Sequence, residues 1–189
     1  TYEDLYEDLK GNGKIIGAFN KNNQLIAYRY ITFPGDSEKN LGNDLGMTKE
    51  KLESVVHLET TVVHPDYRGN NLQSITLNQS LGIIEEMGYS NLLCTVSPQN
   101  FFSLYNIMKN GLAIKSLKKK YGTREDGSDG VWRFILHRDL NHVRNLDPID
   151  FRKCKIESLP EQKSLIDLGY VGYELNKDER MVHYTQFTV

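Results

Sequence analysis

The chain has 189 residues, of which 39% are hydrophobic and 25% are charged, which is typical of one globular domain with or without an appendage. The formal net charge of -2 gives no broad positive field and argues against non-specific nucleic-acid binding. No apolar run is long enough to cross a bilayer, so we expect no membrane association. The two cysteines, Cys94 and Cys154, lie in no metal-binding pattern, and we expect reduced thiols, no metal site and a cytoplasmic location.

The first 54 residues predict a helix, a hairpin and a loop. Apolar spacing in Tyr2 to Lys10 indicates an amphipathic helix. Strands over 14–19 and 24–33 form a predicted antiparallel hairpin. Residues 34–47 are polar and rich in glycine and asparagine, which predicts a long mobile loop, and a short helix follows over 49–52.

A strand, a tight turn and a helix follow between Val55 and Gly88. Strict alternation along the strand over 55–63 assigns its side chains to two faces. One predicted face carries His57, Glu59, Thr61 and Val63, and the other carries Val56, Leu58, Thr60 and Val62.

The helix after this turn begins near Leu72 and ends at Gly88, with a predicted buried stripe of Leu77, Leu81 and Ile84. The N–H groups at a helix N-terminus have no intrahelical partner, and the helix dipole is positive there. Such a turn is a ready anion-binding site, and we expect the chemistry of this protein to lie in it.

The second half continues with alternating strands and helices. An apolar strand over 92–96 implies a parallel crossover from the strand over 55–63. Asn100 is a good N-cap for a helix over 101–110, and strands over 113–121 and 131–140 predict another hairpin.

The last 49 residues predict three elements. They are a strand over 151–157, a helix over 158–168 that starts with capping-box spacing, and a strand over 182–189.

Two motifs resemble those of the Gcn5-related N-acetyltransferase (GNAT) superfamily. The family's central turn, V-x-P-x-x-R-G-x-G-(I/L)-(G/A), is similar to Val63-His64-Pro65-Asp66-Tyr67-Arg68-Gly69-Asn70-Asn71-Leu72-Gln73. The second motif is a strand that is followed by an asparagine and then by a helix that carries a tyrosine and ends at a glycine. Its counterparts here are Val96, Asn100, Tyr105 and Gly111. The resemblance covers roughly residues 14–140.

The resemblance implies an α/β fold with a mixed, mostly antiparallel central sheet, a central parallel strand pair and flanking helices. We interpret residues 1–140 as the acyltransferase domain and 141–189 as a C-terminal extension packing on it. The family begins with a strand and one or two helices before its first hairpin, whereas this chain opens on Thr1 with one helix. We therefore expect either that the N-terminal strand and helix are missing or that the strand over 182–189 fills the vacant sheet edge.

The resemblance further implies transfer of an acetyl group from acetyl-CoA, as co-substrate, to a primary amine by direct attack in a ternary complex. Glu59 resembles the family's base and Tyr105 the acid that protonates the leaving thiolate; His57 is a weaker candidate for the base. The cofactor-binding residues implied are Thr61, Val63, Arg68, Gly69, Asn70, Asn71, Leu72, Gln73 and Asn100.

Two departures and several alternatives bear on this interpretation. Asn71 replaces the family's second glycine, and because Asn tolerates a positive φ the turn can still form. Gln73 adds bulk where the backbone approaches the pyrophosphate. These changes leave open a non-catalytic acyl-CoA-binding or sensing domain. Lysines at 115 and 118–120 leave open a nucleic-acid-directed transferase, although charge runs are usually solvated faces. Acidic residues in the loops over 34–47 and 122–130 favour a cationic amine acceptor, and a homodimer is compatible with the sequence.

Overall fold

The computed structural model describes residues 6, 10–123, 129–142 and 148–187. The predicted helix over 2–10 lies largely outside these residues; the two described positions, Tyr6 and Lys10, are helical. The loop over 122–130 and the end of the strand over 182–189 are also described only in part. The chain divides into two compact units, Thr1–Leu92 and Leu93–Val189.

In the first unit, the strands β1 (Gly13–Phe19), β2 (Leu25–Thr32) and β3 (Val55–Val63) pair antiparallel in that order. This confirms the predicted hairpin and the predicted strand. The strand β4 (Asn91–Val96) begins beside the start of β3, because the N–H groups of Ser90 and Asn91 both donate to the carbonyl of Ser54. β3 and β4 therefore run parallel, as the strand-helix-strand order predicts.

Three helices of this unit lie entirely within the described residues: α1 (Leu41–Asp44), α2 (Lys49–Glu53) and α3 (Leu72–Glu86). The short helix over 49–52 and the helix from Leu72 are confirmed. The prediction of a long mobile loop over 34–47 is wrong, because α1 lies within it and Asn40, Leu41 and Gly42 are buried. The physical reason is the Asn40 amide, which is buried and hydrogen-bonded to three backbone groups.

The helix α3 packs against β1, β2 and β3. Leu77 and Ile84 are buried as predicted, whereas Leu81 is half-buried. Hydroxyl groups complete the buried face, and those of Thr76 and Ser80 donate to carbonyls one turn earlier in the helix. Gly88, at φ +82°, ends the helix as predicted.

The second unit has the strand order β4-β6-β5-β8-β9-β7, and each of its strand pairs with a described register is antiparallel. Its elements after β4 are α4 (Phe101–Lys109), β5 (Ala113–Thr123), β6 (Asp129–Asp139), β7 (Pro148–Lys155), α5 (Leu159–Asp167), β8 (Val171–Asn176) and β9 (Met181–Phe187). The predicted mixed α/β fold, mostly antiparallel with one parallel pair and flanking helices, is confirmed. No helix in the described part of the chain is long and apolar enough to cross a membrane.

Two expectations for the last residues need correction, and one strand is additional to the predicted elements. The pattern of β8 does not indicate a strand, because its sequence VGYELN interrupts alternation with a glycine and follows directly on a helix. Ser158 makes no side-chain capping bond at the start of α5, so the predicted capping box does not form. β9 is paired on both sides, with β8 and β7, and therefore does not lie at a sheet edge as expected.

Candidate functional site

A β-bulge at Glu59 shapes the strand that carries the predicted base. Tyr30 lies opposite Thr60 in the β2-β3 pair, and the next residue, Ile31, lies opposite Leu58. Glu59 is therefore an extra residue on β3 without a partner in the register. A bulge bends its strand and turns the following side chains to the other face.

The bulge overturns the predicted alternation along β3. Residues directly opposite each other in an antiparallel pair point to the same face. His57 lies opposite Thr32 and Thr61 lies opposite Arg29, and these two β2 residues are three apart and point to opposite faces. The predicted common face is therefore wrong: His57 lies on one face, and Thr61 and Val63 lie on the other.

The carboxylate of Glu59 is held on the side of Thr32 and His57. The Thr32 hydroxyl donates a 2.9 Å hydrogen bond to Oε1 of Glu59, and Nδ1 of His57 lies 3.4 Å from the same oxygen. The hydrogen bond from His57 holds the pKa of Glu59 below its ordinary value, and the hydrogen bond from Thr32 also lowers this pKa. Partial burial raises the pKa but does not outweigh the two hydrogen bonds. The side chain is 41% exposed, so a ligand in solution can reach the carboxylate.

The turn after β3 has the backbone conformation that the sequence motif requires. A 3₁₀ helix over Pro65–Tyr67 is followed by Gly69 at φ +85° and Asn71 at φ +56°. The prediction that Asn71 tolerates a positive φ is confirmed. The amide of Asn20 donates a 2.9 Å hydrogen bond to the Tyr67 hydroxyl and ties the turn to the β1-β2 connection.

The N-terminus of α3 is open to an anion. Four of the predicted cofactor-binding residues, Arg68 to Asn71, are exposed, and Leu72 and Gln73 are half-buried. The first turn of α3 contains no acidic side chain. The guanidinium of Arg29, on β2, donates a hydrogen bond to the carbonyl of Gln73 in this turn. No sequence pattern indicates this contact, because the two residues lie 44 positions apart. A site of this kind is suited to a pyrophosphate.

In the second unit, α4 carries the other two predicted site residues. Asn100 is the N-cap that the sequence predicts, because its side chain accepts a 3.2 Å hydrogen bond from the N–H of Ser103. Tyr105 is half-buried and stacks on Phe101, with the ring centroids 6.4 Å apart. Its hydroxyl has no hydrogen-bond partner among the described residues and so is available to a ligand.

Two cations from the β8-β9 turn lie over these rings. The ammonium of Lys177 is 6.0 Å from the ring centroid of Tyr105, and the guanidinium of Arg180 is 4.4 Å from that of Phe101. Sequence reasoning missed both residues because each lies more than 70 positions from the aromatic residue it contacts, in a turn with no recognisable motif.

Comparison with solved structures identifies the fold. No family model matches the sequence, and no curated protein matches it. The structure of a GNAT-family acetyltransferase from Streptococcus pneumoniae matches 72% of this chain and 73% of its own, with a TM-score of 0.52 and 19% identity. The protein has the GNAT fold.

Other structures with the GNAT fold match similarly. A GNAT-family acetyltransferase from Elizabethkingia anophelis with acetyl-CoA bound matches 74% of this chain and 84% of its own, with a TM-score of 0.52 and 14% identity. A nourseothricin acetyltransferase matches 69% of this chain and 67% of its own, with a TM-score of 0.52 and 14% identity. At these identities the likeness concerns the GNAT fold alone.

Proposed function

We propose that this protein is a GNAT-type N-acetyltransferase that transfers an acetyl group from acetyl-CoA to a primary amine. The observation that carries the proposal is the position of the Glu59 carboxylate. Glu59 lies at a β-bulge, and the side chains of Thr32 and His57 hold its carboxylate in place. A solvent-accessible carboxylate in this position is suited to receive a proton from an amine. The acetyltransferases with the same fold support the general activity.

The proposed coenzyme site is the turn from Arg68 to Gln73. Gly69 and Asn71 have positive φ angles, a conformation found in anion-binding turns, and the α3 dipole adds positive potential there. The Arg68 side chain is exposed and can supply a further charge-assisted hydrogen bond to a phosphate. The backbone of β3 near Thr61 and Val63 is proposed to lie along the pantetheine arm, and Asn100 to contact the coenzyme.

The proposed reaction needs two proton transfers by this chain. Glu59, which like any glutamate with an ordinary or lowered pKa is ionised at neutral pH, accepts a proton from the amine, directly or through water. The amine nitrogen forms a bond to the thioester carbonyl carbon, and the carbon–sulfur bond then breaks. Tyr105 donates a proton to the departing thiolate. No acyl-enzyme forms, since both cysteines are buried and the attacking nucleophile is the acceptor amine itself.

The decisive experiment separates coenzyme binding from turnover. Titration calorimetry with acetyl-CoA measures binding, and release of free thiol from acetyl-CoA measures turnover with a panel of primary amines. We expect Glu59→Gln to leave acetyl-CoA affinity unchanged and to lower turnover by about 10²- to 10⁴-fold. Glu53→Gln, on an exposed position of α2, is the matched control and should match the parent.

Two outcomes would contradict the proposal in different ways. Parental turnover in Glu59→Gln would remove Glu59 from the role of base. Binding of acetyl-CoA without turnover of any amine would instead support an acyl-CoA-sensing domain. The same assay with Tyr105→Phe tests the acid role, which requires a fall in turnover at unchanged coenzyme affinity.

A further inference from the structure

His57 is buried beside the proposed base, and both of its ring nitrogens have partners. Its side chain is 8% exposed. Nε2 lies 3.0 Å from the backbone nitrogen of Leu41 and accepts the hydrogen bond of that N–H group. Nδ1 faces Oε1 of Glu59 at 3.4 Å. Different segments of the chain therefore occupy the two sides of the imidazole.

The bond from Leu41 determines which nitrogen carries the proton. A backbone N–H group can only donate, so Nε2 must present its lone pair. The ring is then neutral, with its proton on Nδ1 and directed at the Glu59 carboxylate. In the described part of the chain, Glu59 is the charged group paired with His57, and the Thr32 hydroxyl completes the contacts of the same carboxylate oxygen.

The donor on the Leu41 side is itself fixed. Asn40, which is 1% exposed, accepts a 2.9 Å hydrogen bond from the N–H of Gly42 at the start of α1. Its amide donates to the carbonyls of Gly35 and Leu52, at 2.8 Å and 3.2 Å. The N–H of Leu41 is therefore held in one direction by buried hydrogen bonds, and the ring of His57 is oriented by a rigid support.

We propose that His57 is a positioning residue, which acts as a neutral Nδ1–H imidazole locked by the start of α1 to orient the Glu59 carboxylate. The chain Leu41–His57–Glu59 couples the segment over 40–42 to the proposed base. His57 does not accept the substrate proton, because its Nε2 lone pair is occupied and its Nδ1 already carries a proton. The catalytic consequence rests on the proposed function; the tautomer and its effect on Glu59 do not.

The first test reads the tautomer directly. Long-range ¹H–¹⁵N correlation spectra of the full chain at pH 7, with His57 assigned by comparison with His57→Gln, distinguish Nδ1–H, Nε2–H and imidazolium rings. We expect the Nδ1–H pattern for His57. An Nε2–H or imidazolium pattern overturns the proposal. Exposed His64 is an internal reference on the same strand connection.

The second test uses two substitutions, each of which keeps one of the two contacts of the His57 ring, either that with Glu59 or that with Leu41. The amide of His57→Asn can donate to Glu59 from the δ position, whereas the carbonyl of His57→Gln can accept from Leu41 at the ε position. We expect the ¹³C-detected pKa of the Glu59 carboxyl to rise in His57→Gln and to stay near the parental value in His57→Asn. Near-UV circular dichroism verifies that both variants are folded, and His64→Gln serves as the control.

An unchanged Glu59 pKa in folded His57→Gln contradicts the positioning role. If His57→Gln fails to fold, the tautomer of the parent protein, with His57 then assigned by comparison with His57→Asn, still decides the proposal. Where an amine substrate is found, the acid limb of kcat/KM should move to higher pH in His57→Gln. If the protein turns over no amine, the proposed function is contradicted. The tautomer of His57 and the pKa of Glu59 in the variants still decide the proposal for His57.

Discussion

The guanidinium of Arg29 donates a 2.9 Å hydrogen bond to the backbone carbonyl of Gln73, although the Arg29 residue is only 1% exposed. A buried cation on β2 therefore lies beneath the first turn of α3. The same turn forms part of the proposed pyrophosphate site, so the charge of Arg29 adds to the positive end of the helix dipole.

Replacing Arg29 with methionine should weaken both the fold and coenzyme binding. Loss of the donor leaves the Gln73 carbonyl without this hydrogen bond, which we expect to lower the free energy of unfolding by about 1–3 kcal/mol. Loss of the charge should weaken acetyl-CoA binding roughly two- to fivefold. Urea denaturation and titration calorimetry measure the two effects. Lys14→Met, which removes an exposed cation from β1, should change neither.

Asn71 should tolerate glycine and reject a β-branched residue. Its φ of +56° costs little for glycine, whereas valine in this conformation is strained by about 1–3 kcal/mol. We expect Asn71→Gly to bind acetyl-CoA at least as well as the parent and Asn71→Val to bind it more weakly and to unfold at lower urea concentration. Equal affinities for the two variants would show that the turn does not need this conformation to hold the coenzyme.

The contribution of Glu59 to stability should depend on pH in a defined direction. The pKa of its carboxyl is lower in the folded protein than its ordinary value, so the folded state favours the ionised form. This contribution is fully present above the ordinary pKa of a glutamate carboxyl, which applies to the unfolded state, and is lost as the pH falls through the lower pKa of the folded state. The difference in unfolding free energy between the parent and Glu59→Gln should shrink over that window. A difference independent of pH would contradict the hydrogen bonds from His57 and Thr32.

The hydroxyl of Tyr184 should stabilise the second unit. It is buried and donates a 2.6 Å hydrogen bond to the side-chain oxygen of Gln162 on α5. Tyr184→Phe leaves that oxygen buried without its donor, and we expect a loss of about 1–3 kcal/mol in the free energy of unfolding. Tyr173→Phe, on neighbouring β8, removes a hydroxyl with no hydrogen bond among the described residues and is the matched control. Equal losses in the two variants would contradict a specific role for the Tyr184–Gln162 bond.

Local patterns sufficed for much of the fold. Apolar patterning located β1, β2, β3 and β4, since burial of one face favours alternation and burial of both faces favours a continuous apolar run such as that of β4. Asn100 and Gly88 marked helix ends because capping depends on residues adjacent in the chain. The turn motif indicated that Asn71 tolerates a positive φ, which is likewise a local property of the residue.

The predictions failed where the outcome depended on residues far apart in the sequence. The helix α1 forms within the supposed loop because Asn40 finds buried partners at Gly35 and Leu52, which polar composition does not reveal. β8 is a strand because it pairs with β5 and β9. Neither partner can be deduced from the sequence VGYELN.

For the candidate site, the sequence by itself determined which residues are candidates for the chemistry: a glutamate on a strand, a turn in which Asn71 tolerates a positive φ, and a capped helix with a tyrosine. Only the tertiary structure decided how they are presented. A bulge at Glu59 moved His57 and Thr61 to opposite faces, because one extra residue reverses the alternation that a regular strand would keep. The tautomer of His57 likewise follows from a backbone N–H group 16 residues away, which only folding brings to its ring.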